Sequence, residues 1–267
     1  MLPFPARLAE AVRETGAPLC VGLDPDPSRL PDRFSETASG AATFCRQIIE
    51  ATQERAAAYK PNLAFFEAYG PEGWRALAEV CAAVRQSGQL LILDGKRGDI
   101  GNTGRKYAAA MYSGLAGDAA TVAPYMGRDS IAPFLEHEGR CAFVLVATSN
   151  PGGADLQALE ANRQPVWMHT ARLAVEAGRG LAGTVGFVAG ATRPGLLAEI
   201  RQSFGDVPLL VPGVGAQGGS IADVLAANAG GPLLVNSSRG ILYASSGDDF
   251  ETAARDAAAR LADTLAA

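Results

Sequence analysis

The sequence predicts an α/β fold: a (β/α)8 TIM barrel with a short N-terminal helix and an elaborated loop after its fifth strand. Three observations lead there. Eight short apolar runs recur along the 267 residues, most of them followed by a stretch of helical periodicity. Charged and polar residues gather at the C-terminal ends of these runs, which is where barrels of this class carry their chemistry. Hydrophobic residues make up 48% of the chain, enough for one large core. A doubly wound open sheet is the competing arrangement, but six strands would suit it better.

The opening MLPFPARLAEAVRETG lacks an apolar run of signal-peptide or membrane-span length and reads as a short amphipathic helix. Strands are expected at residues 19–23, 57–60, 90–94, 119–124, 142–148, 185–190, 209–212 and 233–237. Helices are expected at 41–55, 71–87, 104–113, 131–137, 166–177, 196–204, 221–227 and 250–265, with Pro71 suited to a first turn. No linker, repeat or low-complexity segment interrupts this alternation, so residues 1–267 are expected to form a single barrel domain. The longest connection spans 150–184 and carries an extra polar piece, 155–164, expected to elaborate one barrel face.

Composition excludes several classes. A net charge of −5 without a basic cluster argues against nucleic acid. Cys20, Cys45, Cys81 and Cys141 form no C-x-x-C pair and fit a reduced, cytoplasmic protein, three of them as small core residues. His137 and His169 are the only histidines. Neither has metal-ligand spacing or lies at a strand end, so both read as structural, which argues against His-based acid–base catalysis and a His/Cys metal site. No cofactor and no metal are expected.

The stretch LLILDGKRGDIGNTG, residues 90–104, organises the chemistry. An apolar strand runs into Asp94, Lys96 and Asp99. Residues two apart share a strand face, so Asp94 and Lys96 point the same way. Two carboxylates about 4 Å apart repel by roughly 4 kcal/mol at an effective dielectric of about 20, and a lysine between them lowers that cost. A salt-bridged loop would look similar, so the other strand ends carry the decision. Strand one ends in Asp24, strand two in Lys60, strand five in Thr148, Ser149 and Asn150, strand six in Gly190, strand seven in GVGAQGG and strand eight in NSSRG. Singly, Asp24 reads as a turn residue, Lys60 as a surface lysine and Ser149 as a helix cap; aimed at one mouth, they read as a site. The run DPDPSRLPD resembles a calcium loop in its Asp spacing but lacks the central glycine and closing glutamate. Gly213-x-Gly215-x-x-Gly218 matches a dinucleotide fingerprint only formally, because it follows the seventh strand. Glycine-rich turns after strands seven and eight of a barrel instead suit a phosphate, with Gln217 and Arg239 as side-chain donors.

Asp94-x-Lys96-x-x-Asp99, with Lys60 upstream and Thr103 downstream, resembles the signature of the orotidine 5′-phosphate decarboxylases. The resemblance extends through LDPD, YKPN, DGKRGDIGNT, TSNP, PGVGAQGG and SSRGI, nearly the whole chain. Gly95, Arg97, Gly98 and Gly101 depart from the commonest wording and, with the long fifth connection, resemble the longer bacterial subgroup. The resemblance implies cofactor-free conversion of orotidine 5′-phosphate to uridine 5′-phosphate in pyrimidine biosynthesis. It implies Lys60, Asp94, Lys96 and Asp99 as the catalytic charged network. Asp24 and Thr103 would bind ribose hydroxyls and Ser149 the pyrimidine edge. Gln217 and Arg239, with Gly240 beside them, would hold the phosphate. It further implies a homodimer in which Asp99 and Thr103 serve the neighbouring subunit's site. The core D-x-K-x-x-D also fits a magnesium-dependent sugar-phosphate decarboxylase or aldolase of the same superfamily, although YKPN and TSN favour the pyrimidine reading. A non-catalytic nucleotide-binding barrel would be expected to break the charged row, which is intact here.

Overall fold

The computed structural model describes residues 1–214 and 219–266. Eight parallel strands close into a barrel in chain order: β1 (Leu19–Leu23), β2 (Ala58–Pro61), β3 (Leu90–Arg97), β4 (Ala119–Val122), β5 (Cys141–Ala147), β6 (Thr184–Ala189), β7 (Leu209–Pro212) and β8 (Leu233–Ser237). The last strand returns to the first, Val235 opposite Leu19 and Ser237 opposite Val21. The closed barrel therefore prevails over the open sheet. In the connection from β5 to β6, a turn (Pro151–Gly153) and a short helix (Ala154–Gln157) lead to a small antiparallel hairpin, Glu160–Ala161 with Gln164–Pro165. The hairpin turns through Asn162 and Arg163, both at positive φ, as a tight two-residue turn requires. The elaborated connection is thus present, on the side of the barrel where β5 ends.

The period of two along each strand divides the core. Outward residues such as Leu91, Leu93, Ala120, Val122 and Val144 pack under the surrounding helices. Inward residues, among them Cys20, Ala58, Ile92, Ala119, Phe143, Val188, Leu210 and Leu234, fill the barrel. The helix Phe4–Thr15 closes its floor. Phe4 packs edge-on against Phe143 at 5.7 Å. Asp118 gathers Arg7 at 2.5 Å and Arg140 at 3.0 Å on Oδ1, and accepts the Leu91 amide at 2.8 Å on Oδ2. Two residues above Ala58, Ile92, Ala119 and Leu234 stand Lys60, Asp94, Thr121 and Asn236, all buried. The interior turns from apolar to polar within one step of the pleat.

Three local features differ from the sequence expectations. Strand β3 continues beyond Asp94 to Arg97 because the chain bulges: the register against β4 shifts between Leu93 and Arg97. A short helix, Leu63–Glu67, follows β2, with Asn62 accepting the Ala64 amide at 3.3 Å. The helix after β3 begins at Gly101 rather than at 104 and runs into a π-helical turn, Ala110–Gly114.

Candidate active site

Asp94 is the centre of the mouth. Its Oδ2 accepts Lys60 Nζ at 2.7 Å, and its Oδ1 accepts Lys96 Nζ at 2.7 Å and Thr121 Oγ1 at 2.8 Å. Burial alone would push the Asp94 carboxyl up. The Lys60 and Lys96 cations and their hydrogen bonds outweigh it and hold the group well below the usual carboxylate range. Burial likewise disfavours the Lys60 cation, yet Asp94 first and Asp24 second leave its ammonium more basic than an ordinary lysine. Asp94 and Lys60 are therefore both charged at neutral pH. Lys60 and Asp94 are 4% and 7% exposed, whereas the Lys96 side chain is 51% exposed. Among the described residues, Lys96 Nζ donates to Asp94 alone, so an ammonium with three protons retains donors for a ligand.

Lys96 also stands in a backbone conformation unusual for lysine, φ 46°. Such a conformation costs about 1–3 kcal/mol and persists only where its surroundings impose it. Here the Lys96 amide donates to Thr121 Oγ1 at 2.9 Å, which turns the lysine back over Asp94. The expected sharing of one face by Asp94 and Lys96 thus holds, but through a kinked strand end rather than a regular one.

Asp99 does not complete the row within its own chain. Its Oδ1 accepts the Ile100 amide at 2.8 Å, and among the described residues it makes no hydrogen bond or ion pair with Lys60, Asp94 or Lys96. The helix starts at Gly101, so Asp99 precedes it and Thr103 lies within it. The reason is backbone geometry: Gly101 takes φ 55°, and a Cβ on Gly104 would meet the Asp99 carbonyl oxygen at 2.4 Å. Thr103 is exposed. Gly98 packs on the exit of β4, where the Ala123 amide donates to the Arg97 carbonyl at 2.8 Å.

On the other side of the mouth, Asp24, Lys60, Asn62, Asp94, Asn236 and Arg239 line a cleft of about 190 Å³. Asp24 Oδ1 and Asn236 Oδ1 are buried there without a partner among the described residues, two acceptors available to hydroxyl groups of a ligand. The two strands bearing them meet closely, because a Cβ on Gly22 would lie 1.9 Å from Ser238 Oγ. Tyr243 pins this corner: its hydroxyl donates to the Asp24 carbonyl at 2.9 Å and accepts the Asp26 amide at 2.6 Å. Asp26 caps a short turn by accepting the Ser28 amide, so the acidic run after β1 is a capped turn rather than a calcium loop. Arg239 opens the short helix Arg239–Leu242 and is exposed, as is Gly240. Ser149 follows β5, half-buried, and presses so closely on Gly190 that a Cβ there would sit 2.7 Å from the Ser149 amide nitrogen. Gln217, with Gly215 and Gly218, lies outside the described residues.

The sequence profile of the orotidine 5′-phosphate decarboxylase / HUMPS family matches residues 17–256. The chain belongs to this family. It is 49% identical over 251 residues to the orotidine 5′-phosphate decarboxylase of Roseiflexus castenholzii, covering 92% of this chain and 91% of that one. It is 46% identical to the enzyme of the same name from Herpetosiphon aurantiacus, covering 96% and 95% of the two chains. The structure of Leishmania donovani OMP decarboxylase superposes with a TM-score of 0.86 at 38% identity, covering 99% of this chain and 98% of that one. These relatives carry the decarboxylase name, so the sugar-phosphate alternative is not favoured.

Within this family setting, sequence reasoning located Asp24, Lys60, Asp94, Lys96, Ser149, Arg239 and Gly240, and the structure places each at the C-terminal end of its strand. It assigned no role to Thr121, Asn236 or Tyr243. Stepping by two from the apolar Ala119 and Leu234 would have found the first two. His137 packs against Tyr112 at 5.1 Å, and His169 bonds the Ala161 carbonyl at 2.7 Å; both serve the scaffold. All four cysteines are buried, and burial pushes the Cys20 and Cys81 thiols up to about 12, where they stay protonated.

Proposed function

We propose that this chain decarboxylates orotidine 5′-phosphate to uridine 5′-phosphate in pyrimidine biosynthesis, without a cofactor, as a homodimer with shared sites. The observation that carries the reading is Asp94 clamped between Lys60 and Lys96 at 2.7 Å each. When the bond from C6 to the carboxylate breaks, its electron pair stays on C6 in the ring plane. That pair cannot enter the π system, so stabilisation has to come from fixed charge. Asp94 stands where the departing carboxylate would meet a negative group; Lys96, with donors to spare, faces the developing carbanion and then delivers its proton to C6. Carbon dioxide leaves, and Lys96 recovers a proton from water. Lys60 holds Asp94 ionised and in place. Asp24 would accept ribose hydroxyls, Ser149 would read the pyrimidine edge, and Arg239, Gly240 and Gln217 would hold the phosphate, whose binding energy helps to order the site.

Two observations favour sharing between copies. Among the described residues, Asp99 and Thr103 make no hydrogen bond or ion pair with a charged group of their own mouth. Around them, Ile100, Tyr107, Tyr125 and Met126 are 51%, 37%, 86% and 49% exposed, an apolar surface suited to a two-fold contact. No helix among the described residues is long and apolar enough to cross a membrane; a cytoplasmic enzyme is part of the proposal. The deciding experiment follows the absorbance of orotidine 5′-phosphate with purified protein in EDTA. Steady decay supports the reading. Binding of uridine 5′-phosphate without any decay would leave a nucleotide-binding barrel, and decay restored only by magnesium would leave the metal-dependent alternative.

A further inference from the structure

Thr121 lies on β4, is 2% exposed, and belongs to none of the strand ends that the motifs single out. A threonine in a strand needs no explanation beyond its β-branched shape, and valine would fill the same space. Its hydroxyl, however, has two partners, and they fix its polarity. The Lys96 amide can only donate, so Oγ1 accepts there at 2.9 Å. The single hydroxyl proton is then directed to Asp94 Oδ1 at 2.8 Å. One oxygen thus sets both the orientation of the Asp94 carboxylate and the positive-φ backbone of Lys96. Without it, Oδ1 retains only the lysine, whose side chain is half exposed, and the Lys96 amide loses the contact that offsets its strained conformation.

Resting on the decarboxylase reading, we infer that Thr121 is a positioning residue that locks Asp94 and Lys96 into reacting geometry through one hydroxyl. Its hydroxyl is committed to two protein partners. Its effect therefore falls on turnover and not on binding. An error of about 1 Å at a reacting group can lower a rate on the order of 10²-fold.

The test compares Thr121→Val with Thr121→Ser. Thr121→Val should lose kcat on the order of 10²-fold while KM and the affinity for uridine 5′-phosphate stay near wild type. Thr121→Ser, which keeps the hydroxyl and loses the methyl, should recover most of kcat. Hydrogen exchange at the Lys96 amide supplies a readout independent of activity: protected in wild type and in Thr121→Ser, accelerated in Thr121→Val. Equal kcat in wild type and Thr121→Val would overturn the inference. So would equal losses in the Val and Ser variants, which would assign the role to the methyl group. Should wild type not turn over orotidine 5′-phosphate at all, the functional reading fails, while the exchange pattern still decides whether Thr121 holds Lys96.

Discussion

Lys60 Nζ stands 2.7 Å from Asp94 Oδ2 with the two side chains only 5% and 9% exposed, so each is the other's main compensation for burial. Removing one partner of such a pair typically costs about 3–5 kcal/mol. Asp94→Ala should lose stability of that order in urea unfolding, as well as activity. The pH dependence follows from the directions of the shifts. The folded carboxyl lies below its unfolded value of about 3.9, so Asp94's contribution is full above that value and is lost as pH falls through the folded one. The Lys60 ammonium is shifted upward, so its contribution is full below about 10.4 and is lost only as pH rises beyond that. Wild type and Asp94→Ala should therefore differ by a constant amount from about pH 6 to 9 and converge below about pH 4. A difference that grows on acidification would contradict the ion pair.

Lys96→Ala should abolish turnover and leave the fold intact, because Asp94 keeps Lys60 as its buried counterion and the Lys96 side chain is half exposed. Circular dichroism and melting temperature should stay near wild type while product formation vanishes. Turnover close to wild type would remove Lys96 as the proton donor.

The Arg239 side chain makes no hydrogen bond or ion pair among the described residues and lines the cleft. Arg239→Ala should lower kcat/KM for orotidine 5′-phosphate by about 2–5 kcal/mol if the bound phosphate buries the contact, the range for truncating one partner of a buried charged pair. The loss should be much smaller for orotidine, which lacks the phosphate. Equal losses for both substrates would show that Arg239 does not meet the phosphate.

Shared sites can be tested by mixing. Asp99→Ala and Lys60→Ala homodimers should each be nearly inactive. After subunit exchange, one site of each heterodimer carries both defects and the other carries neither. Random reassortment should then return up to about a quarter of wild-type activity. Verified exchange with no recovery would mean that Asp99 serves its own barrel.

The alternation of apolar strands and helices made the barrel legible, because each strand here is a nearly uninterrupted apolar run between turn residues. The charged motif was legible because Asp94, Lys96 and Asp99 stand within six positions of sequence. Thr121 was not, since one threonine inside AATV carries no signal until β4 is placed beside β3. Tyr243 was hidden for a related reason: its partners, Asp24 and Asp26, lie at the other end of the chain, and only closure of β8 onto β1 brings them together. The strand end at Arg97 was not legible because the apolar run stops at Leu93, whereas the chain bulges there and resumes pairing at Arg97. For Asp99, the proposed partner is a second copy, which no reading of one chain can display.

The seam between β1 and β8 joins the beginning of the polypeptide to its end, and the two orphan acceptors Asp24 and Asn236 sit on either side of it. A ligand gripped by Asp24 and Arg239 together is therefore a removable cross-link between the termini of the barrel, in effect a clasp on a ring. Loop-closure entropy makes such a link act on nearly the whole chain. Occupancy would protect the first and last strands together against local opening, so the enzyme would resist proteolysis best when its substrate is plentiful.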